Sequence, residues 1–234
     1  MSRGVSITWL GHGTFYIQTD AGTKILVDGW VMTNPACPEE LKGLSDIDLL
    51  LVTHGHFDHI NDVVEIAERA KPTVICVLEM AAWLGSKGVE NVQGMNKGGT
   101  QVFSDVSVTM VYADHSGGID DNGTTVYGGE AVGFVITPEN GPAIYHAGDT
   151  NVFGDMKLIG ELYQPEIAIL PIGDLFTMSP REAAVACRLI GAKTIIPGHW
   201  GTFPPLTGRP AKLRELVQDQ EGVEVIDLEP GQTY

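Results

Sequence analysis

Apolar and polar positions along this chain follow two rhythms. Residues 5–10, 15–19 and 24–27 are short β-prone runs, and Asp20-Ala21-Gly22-Thr23 between the last two is a turn signal. This is the pattern of strands joined as hairpins. Residues 29–44 hold two prolines and no period, which predicts a loop. Leu49, Leu50, Leu51 and Val52 form a continuous apolar run, as expected of a central strand covered on both faces. Ile60, Val63, Val64 and Ala67 then keep the spacing of one helical face, with Glu65, Glu68 and Arg69 opposite. Pro72 ends that helix, and residues 74–78 are the next strand.

Glycine becomes frequent from 89 to 136, and residues 106–111 alternate as a strand does. A further strand pair flanks Glu139-Asn140-Gly141, whose Asn-Gly is a turn signal. The α/β rhythm returns with a helix over 153–163 and a strand over 167–172. Ser179-Pro180-Arg181-Glu182 combines a capping box with proline at the first helical position. Ala183, Ala186, Cys187 and Ile190 form the apolar face of that helix, and Gly191 caps it. A strand over 194–197, a helix over 210–218 and a strand over 223–228 complete the order. A β-rich segment followed by α/β, twice over, predicts one α/β domain spanning 1–234 and built from two equivalent halves.

Composition narrows the function. With 234 residues, 43% of them hydrophobic, the chain can bury a large core. No run approaches the roughly 18 apolar residues of a membrane span, and the first six residues lack the apolar run of a secretory signal. Cys37, Cys76 and Cys187 are odd in number and form no CxxC pair, which fits a reducing cytoplasm. The formal charge of −16 disfavours nucleic acid as a partner.

The chemistry is concentrated after the apolar run at 49–52. His54, His56, Asp58 and His59 fall within six residues at a strand end. Imidazole and carboxylate suit zinc, manganese, iron or nickel, and no thiolate accompanies them. Outside this turn, His115 and His199 follow β patterns, and Asp149 follows Ala143-Ile144-Tyr145-His146. All three can share one rim with the first motif. Asp114, beside His115, is an alternative donor.

HxHxDH followed by a lone His, a lone Asp and a final His resembles the metallo-β-lactamase superfamily, over nearly the whole chain. The segments WLGHGTF, THGHFDHIND, HAGDT and GHWGTFPPLTG are most similar to the branch containing ascorbate-6-phosphate lactonase and many metal-dependent hydrolases. The resemblance implies an αββα four-layer sandwich, with two mixed sheets face to face and helices outside. It implies that His54, His56 and His115 hold one metal, that Asp58, His59 and His199 hold a second, and that Asp149 bridges them. Two divalent ions, zinc or manganese before iron or nickel, would generate a bridging hydroxide for attack on an ester-type bond. Asp58 or Asp149 would accept the proton.

Several residues have open roles at this stage. His12 is expected either to contact substrate or donate a proton, or to be a hydrogen-bonded structural residue. His146 is expected to orient the Asp149 loop or to be structural, and Asp28 to accept a hydrogen bond from a ligand histidine. Trp200, Thr202 and Phe203 are candidates for a pocket wall, although Trp200 and Phe203 also suit the core. No cysteine matches a ligand position of the thiolate-containing zinc β-lactamases. There is no room for the helical substrate domain of glyoxalase-II-type thioesterases, and no basic surface for RNA processing. A lactone, a phosphodiester or another small ester remains, with Lys97, Arg209 and Lys212 the only loosely placed cations for a phosphate. The alternatives are a non-hydrolytic metal or redox protein on the same scaffold and a nuclease-type phosphodiesterase. A homo-oligomer is compatible with the branch.

Overall fold

The computed structural model describes residues 4–234. Met1, Ser2 and Arg3, part of the stretch expected to lack a secretory signal, lie outside it. Among the described residues the first sheet runs in sequence order: β1 (Val5–Trp9), β2 (Phe15–Thr19), β3 (Lys24–Val27), β4 (Leu49–Leu51), β5 (Thr73–Val77) and β6 (Val92–Met95). Strands β1 to β3 are antiparallel, and β3 to β6 are parallel. Val5, Ile7 and Trp9 are buried while Ser6 and Thr8 are partly exposed, the period-2 pattern of a half-covered edge strand. Every residue of β4 and β5 is buried, as central parallel strands require.

The second sheet contains β7 (Thr100–Phe103), β8 (Val106–Tyr112), β11 (Val132–Pro138), β12 (Ile144–His146), β13 (Ile167–Pro171), β14 (Thr194–Gly198) and β15 (Glu224–Val225). Between its second and third members, β9 (Gly118–Asp121) and β10 (Thr124–Tyr127) form a separate hairpin. Alternation along β13 sorts side chains between two cores. Ile167 and Ile169 join the cluster shared with the first sheet, whereas Ala168 and Leu170 face the outer helices. Those helices are α4 (Met156–Tyr163), α5 (Pro180–Ile190) and α6 (Pro210–Leu216). On the first sheet, α2 (Val63–Ala70) and α3 (Leu78–Ser86) supply Val63, Ile66, Met80 and Leu84 to the core. The layers are therefore helix, sheet, sheet, helix, as expected from the sequence.

Boundaries shift in several places. The helix expected through residues 60–67 is split into α1 (Phe57–Ile60) and α2. Asp62 sits at the break, where its carboxylate accepts hydrogen bonds from Val31 N, Thr33 N and Thr33 Oγ1 and ties the turn to the 29–44 loop. Leu78 begins α3 rather than ending β5, because no polar cap marks the change inside an apolar run. The 153–163 helix starts only at Met156, and the last strand shortens to Glu224–Val225. The α5 capping box is present as read, with Ser179 N donating to Glu182 Oε2.

Strand direction decides where the chemistry lies. Strand β1 is antiparallel to β2, and β2 to β3, so β1, β3 and β4 run the same way. The same argument through β11 makes β8 co-directional with β12, β13 and β14. His12, Asp28, His54, His115, Asp149 and His199 each follow the C-terminal end of one of these strands. Parallel sheets collect functional loops on that rim.

Candidate metal centre

Three of these strand ends hold non-glycine residues in the left-handed region: His12 at φ 57°, Asp28 at φ 61° and His199 at φ 54°. Such residues carry strain that the surrounding structure must hold in place, and they cluster at functional sites. His12 and His199 are also tied together, since His199 N donates to His12 O at 2.8 Å. The HxHxDH turn is held by a different device. Gly55 lies where an added Cβ would stand 2.6 Å from Ile119 Cγ1 and 2.7 Å from Gly117 O, so only glycine permits this packing under the β9 strand.

Asp28 organises the ring orientations. Fully buried, it accepts Thr53 N through Oδ1 at 2.8 Å, and through Oδ2 both Thr53 Oγ1 at 2.9 Å and His59 Nδ1–H at 2.7 Å. A carboxylate only accepts, so His59 carries a proton on Nδ1 and, in its neutral form, presents a bare Nε2. Because the Thr53 hydroxyl hydrogen is directed to Asp28, its oxygen is left to accept from His54 Nδ1 at 3.0 Å. His54 thereby also presents Nε2 inward. His56 turns the other way, with Nε2 beside Ser116 Oγ at 3.1 Å and Nδ1 inward.

The inward nitrogens converge in two groups. His54 Nε2 and His115 Nε2 lie 3.0 and 3.3 Å from His56 Nδ1. His12, Asp58, His59 and His199 form the second group, and His54, His59 and Asp149 link the two. Asp149 Oδ2 stands between them, 3.0 Å from His199 Nε2, 3.3 Å from His59 Nε2, 3.8 Å from His115 Nε2 and 3.9 Å from His54 Nε2. Seven expected ligands are thus brought together, and His12 joins them.

The donor set suits divalent cations on its own terms. The Nε2 atoms of His59 and His199 are buried and, although Asp149 Oδ2 lies 3.3 and 3.0 Å away, make no well-aligned hydrogen bond, an arrangement an ion held between them would satisfy. Titration points the same way. Burial holds His54 well below its ordinary pKa and so keeps it neutral, as a ligand must be. Burial also opposes protonation of His59 and His199, but the Asp149 carboxylate outweighs it, drawing His59 well above its ordinary value and His199 up to about 9. Asp149 itself is held far below the carboxylate range: burial opposes this, and His199 and His59 overcome it. A metal cation supplies the positive charge these carboxylates otherwise draw from protons.

The structure places the residues with open roles as follows. His12 is fully buried, its Nε2–H donating to Asp58 Oδ2 at 2.8 Å, and burial lowers its pKa to about 4. It is hydrogen-bonded to Asp58 and also borders the cleft. His146 joins neither group; its Nδ1 accepts Gly148 N at 3.1 Å and its ring meets the Phe15 ring edge, a structural role beside the Asp149 loop. Asp114 turns away, accepting Asn151 Nδ2 at 3.4 Å, so His115 is the residue delivered to the centre. Phe203 lines the cleft above the histidines, whereas partly buried Trp200 stacks on Trp9 against the core and Thr202 is not part of the wall. The cleft encloses about 670 Å³. Phe57, Ser116, Asp120 and Phe176 also line it, none of them singled out by the sequence. Phe57 and Ser116 adjoin expected ligands in sequence, whereas Asp120 and Phe176 carry no local signal.

Comparison with known proteins places the chain. The domain profile of the beta-lactamase superfamily matches residues 16–200. A UPF0173 metal-dependent hydrolase of Koribacter versatilis is 56% identical over 232 residues, covering 99% of this chain and 98% of the relative. One from Solibacter usitatus is 53% identical over 227 residues, covering 97% and 98% respectively. Among solved structures, Igni18, a metallo hydrolase from the archaeon Ignicoccus hospitalis, superposes with a TM-score of 0.87 at 34% identity, covering 98% of this chain and 97% of that one. With its layered fold, its rim of histidines and these relatives, the chain belongs to the metallo-β-lactamase superfamily, within the UPF0173 group of metal-dependent hydrolases.

Proposed function

We propose that this hydrolase cleaves an ester-type bond in a small molecule, with two divalent ions, zinc or manganese, held between the two donor groups. The observation that carries this reading is the position of Asp149 Oδ2 within 3.0–3.9 Å of four histidine nitrogens drawn from both groups. His54, His56 and His115 would hold one ion, Asp58, His59 and His199 the other, and Asp149 both. Ions so held supply an activated water and stabilise the oxygen that gains charge.

The chain's own residues do the remainder. Asp28, through Thr53 and His59, fixes which ring nitrogens face inward. His12 Nε2–H holds Asp58 Oδ2 in place, leaving the aspartate able to take the proton released by the attacking water. Water adds across the bond, one proton passes to Asp58 and then to the departing alcohol, and acid and alcohol are released. Burial of His12, His54, His59 and His199 at the cleft floor keeps these contacts dry.

Among the described residues no helix is long and apolar enough to cross a membrane. The three cysteines are buried and unpaired, which supports a reducing cytoplasmic setting. Asp149→Ala tests the two-metal reading: metal content of the purified protein should fall and ester hydrolysis should drop at least ~100-fold. Wild-type rates in a correctly folded Asp149→Ala protein would sink it.

A further inference from the structure

The walls of the cleft differ from its floor. Phe57 and Phe176 line it at 56% and 58% exposure, large apolar surfaces left in contact with solvent. Phe203 and Pro205 continue the same lining. The aromatic wall is braced from below: buried Trp30 stacks on Phe203 at 5.8 Å and meets the Phe57 ring edge-on at 5.8 Å. Trp30 is itself fixed by Nε1–H donation to Thr33 Oγ1 at 2.8 Å. Phe176 arrives on the loop between β13 and α5, behind two consecutive residues in the left-handed region, Asp174 at φ 70° and Leu175 at φ 49°. Such strain is retained where it places a side chain that function uses.

Cations are missing from this lining. Among the described residues, no lysine or arginine borders the cleft. The three considered from sequence are engaged elsewhere. Lys97 pairs with Glu130, and Lys212 with Glu215 at 2.7 Å. Arg209 lies over the Trp200 ring and donates to the carbonyls of Leu206 and Gly208. Beyond Asp58 and Asp149, the charged side chain bordering the cleft is Asp120, an anion. An anionic group on the part of the substrate held away from the metal-binding floor would have to pass Asp120 and a chain of formal charge −16, and no lysine or arginine among the described residues lines the walls to receive it.

We infer that the substrate is an uncharged carboxylic ester or lactone bearing an apolar substituent of several carbons, seated against Phe57, Phe203 and Phe176. This rests on the hydrolytic reading above and narrows it: esters and lactones that carry a phosphate or carboxylate on the substituent are poor substrates.

The test compares neutral and charged esters of matched length on metal-loaded protein, following acid release. Methyl hexanoate should exceed methyl butyrate in kcat/KM by about tenfold, since each buried methylene contributes roughly three- to fourfold. It should exceed monomethyl adipate, which carries a carboxylate at the far end, by at least as much. Phe176→Ala should lower the hexanoate rate more than the butyrate rate and compress their ratio to about threefold. Binding of N-methylhexanamide, measured by calorimetry, supplies a readout independent of turnover. Equal or faster hydrolysis of monomethyl adipate, or a flat chain-length dependence, overturns the inference while leaving hydrolysis standing. If no ester is hydrolysed yet the amide binds and Phe176→Ala weakens it, the hydrolytic reading fails and the apolar, neutral preference of the cleft stands. Neither turnover nor amide binding overturns both.

Discussion

Replacing Asp28 by asparagine removes one charge from the point that sets two ring orientations at once. The substitution is selective because Asp28 sits at φ 61°, where asparagine is well tolerated, so little backbone strain is added. An amide offers one acceptor oxygen and one donor NH2 group. The wild-type carboxylate accepts from Thr53 N, Thr53 Oγ1 and His59 Nδ1 at 2.7–2.9 Å, so at least one donor must face another donor in the variant. Hydrogen bonds to a charged group contribute about 1.5–3 kcal/mol, and the metal-free protein should lose roughly that much stability in urea unfolding. The larger consequence is for metal. Partners that orient a metal-bound histidine typically change affinity by about 10- to 100-fold, and Asp28 orients His59 directly and His54 through Thr53. Competition with a chromophoric zinc chelator should therefore show at least tenfold weaker binding, about 1.4 kcal/mol or more. An Asp28→Asn protein that binds zinc as tightly as wild type would refute the relay.

Gly55→Ala should destabilise the fold by about 1–3 kcal/mol, because the new methyl meets Ile119 and Gly117 O, and it should weaken metal binding by moving His54 and His56; an unchanged urea midpoint would contradict this. Removing metal with a chelator should lower the melting temperature, since a ligand at about 1,000 times its dissociation constant stabilises by about 4 kcal/mol; identical melting curves for chelator-treated and metal-reloaded protein would count against a bound ion. The thiols offer a pH-linked control. Burial pushes Cys37 up to about 11 and Cys76 and Cys187 up to about 12, so at pH 8 almost no thiolate exists in the folded protein. All three should react with a thiol reagent only after denaturant is added, and reactivity of native Cys76 at pH 8 would contradict its burial.

Much of the fold follows directly from local pattern. The buried runs at 49–52 and 167–172, the capping box at Ser179 and the Asn-Gly turn between β11 and β12 depend on neighbours in sequence, and periodicity records such neighbours. The start of α3 does not, because apolar residues continue unbroken across it and only the turn of the chain distinguishes strand from helix. Strands β9 and β10 are poorly marked for another reason. Their hairpin stands apart from both large sheets, with only Ile119 fully buried and only partial burial at Gly118, Asp121 and Val126, so it leaves no strong alternation to read.

The site divides along the same line. His54, His56, Asp58 and His59 stand together in sequence, and the strand ends carrying His115, Asp149 and His199 can be picked out one by one, so the sequence by itself determined which candidate donors converge in the fold. Which nitrogen each histidine presents, that His12 bonds Asp58, and that Asp114 turns away were decided only by tertiary structure. Each depends on a partner far along the chain: Asp28 for His59, Asp58 for His12 and Asn151 for Asp114. The walls of the cleft are more distant still. Phe57, Phe176 and Asp120 come from α1, the loop before α5 and the β9–β10 hairpin, and they meet only because two sheets pack face to face with their functional ends on one rim. Ligand identity is a property of residue type, which sequence records; the shape and charge of the substrate cleft depend on long-range packing, which only the folded chain creates.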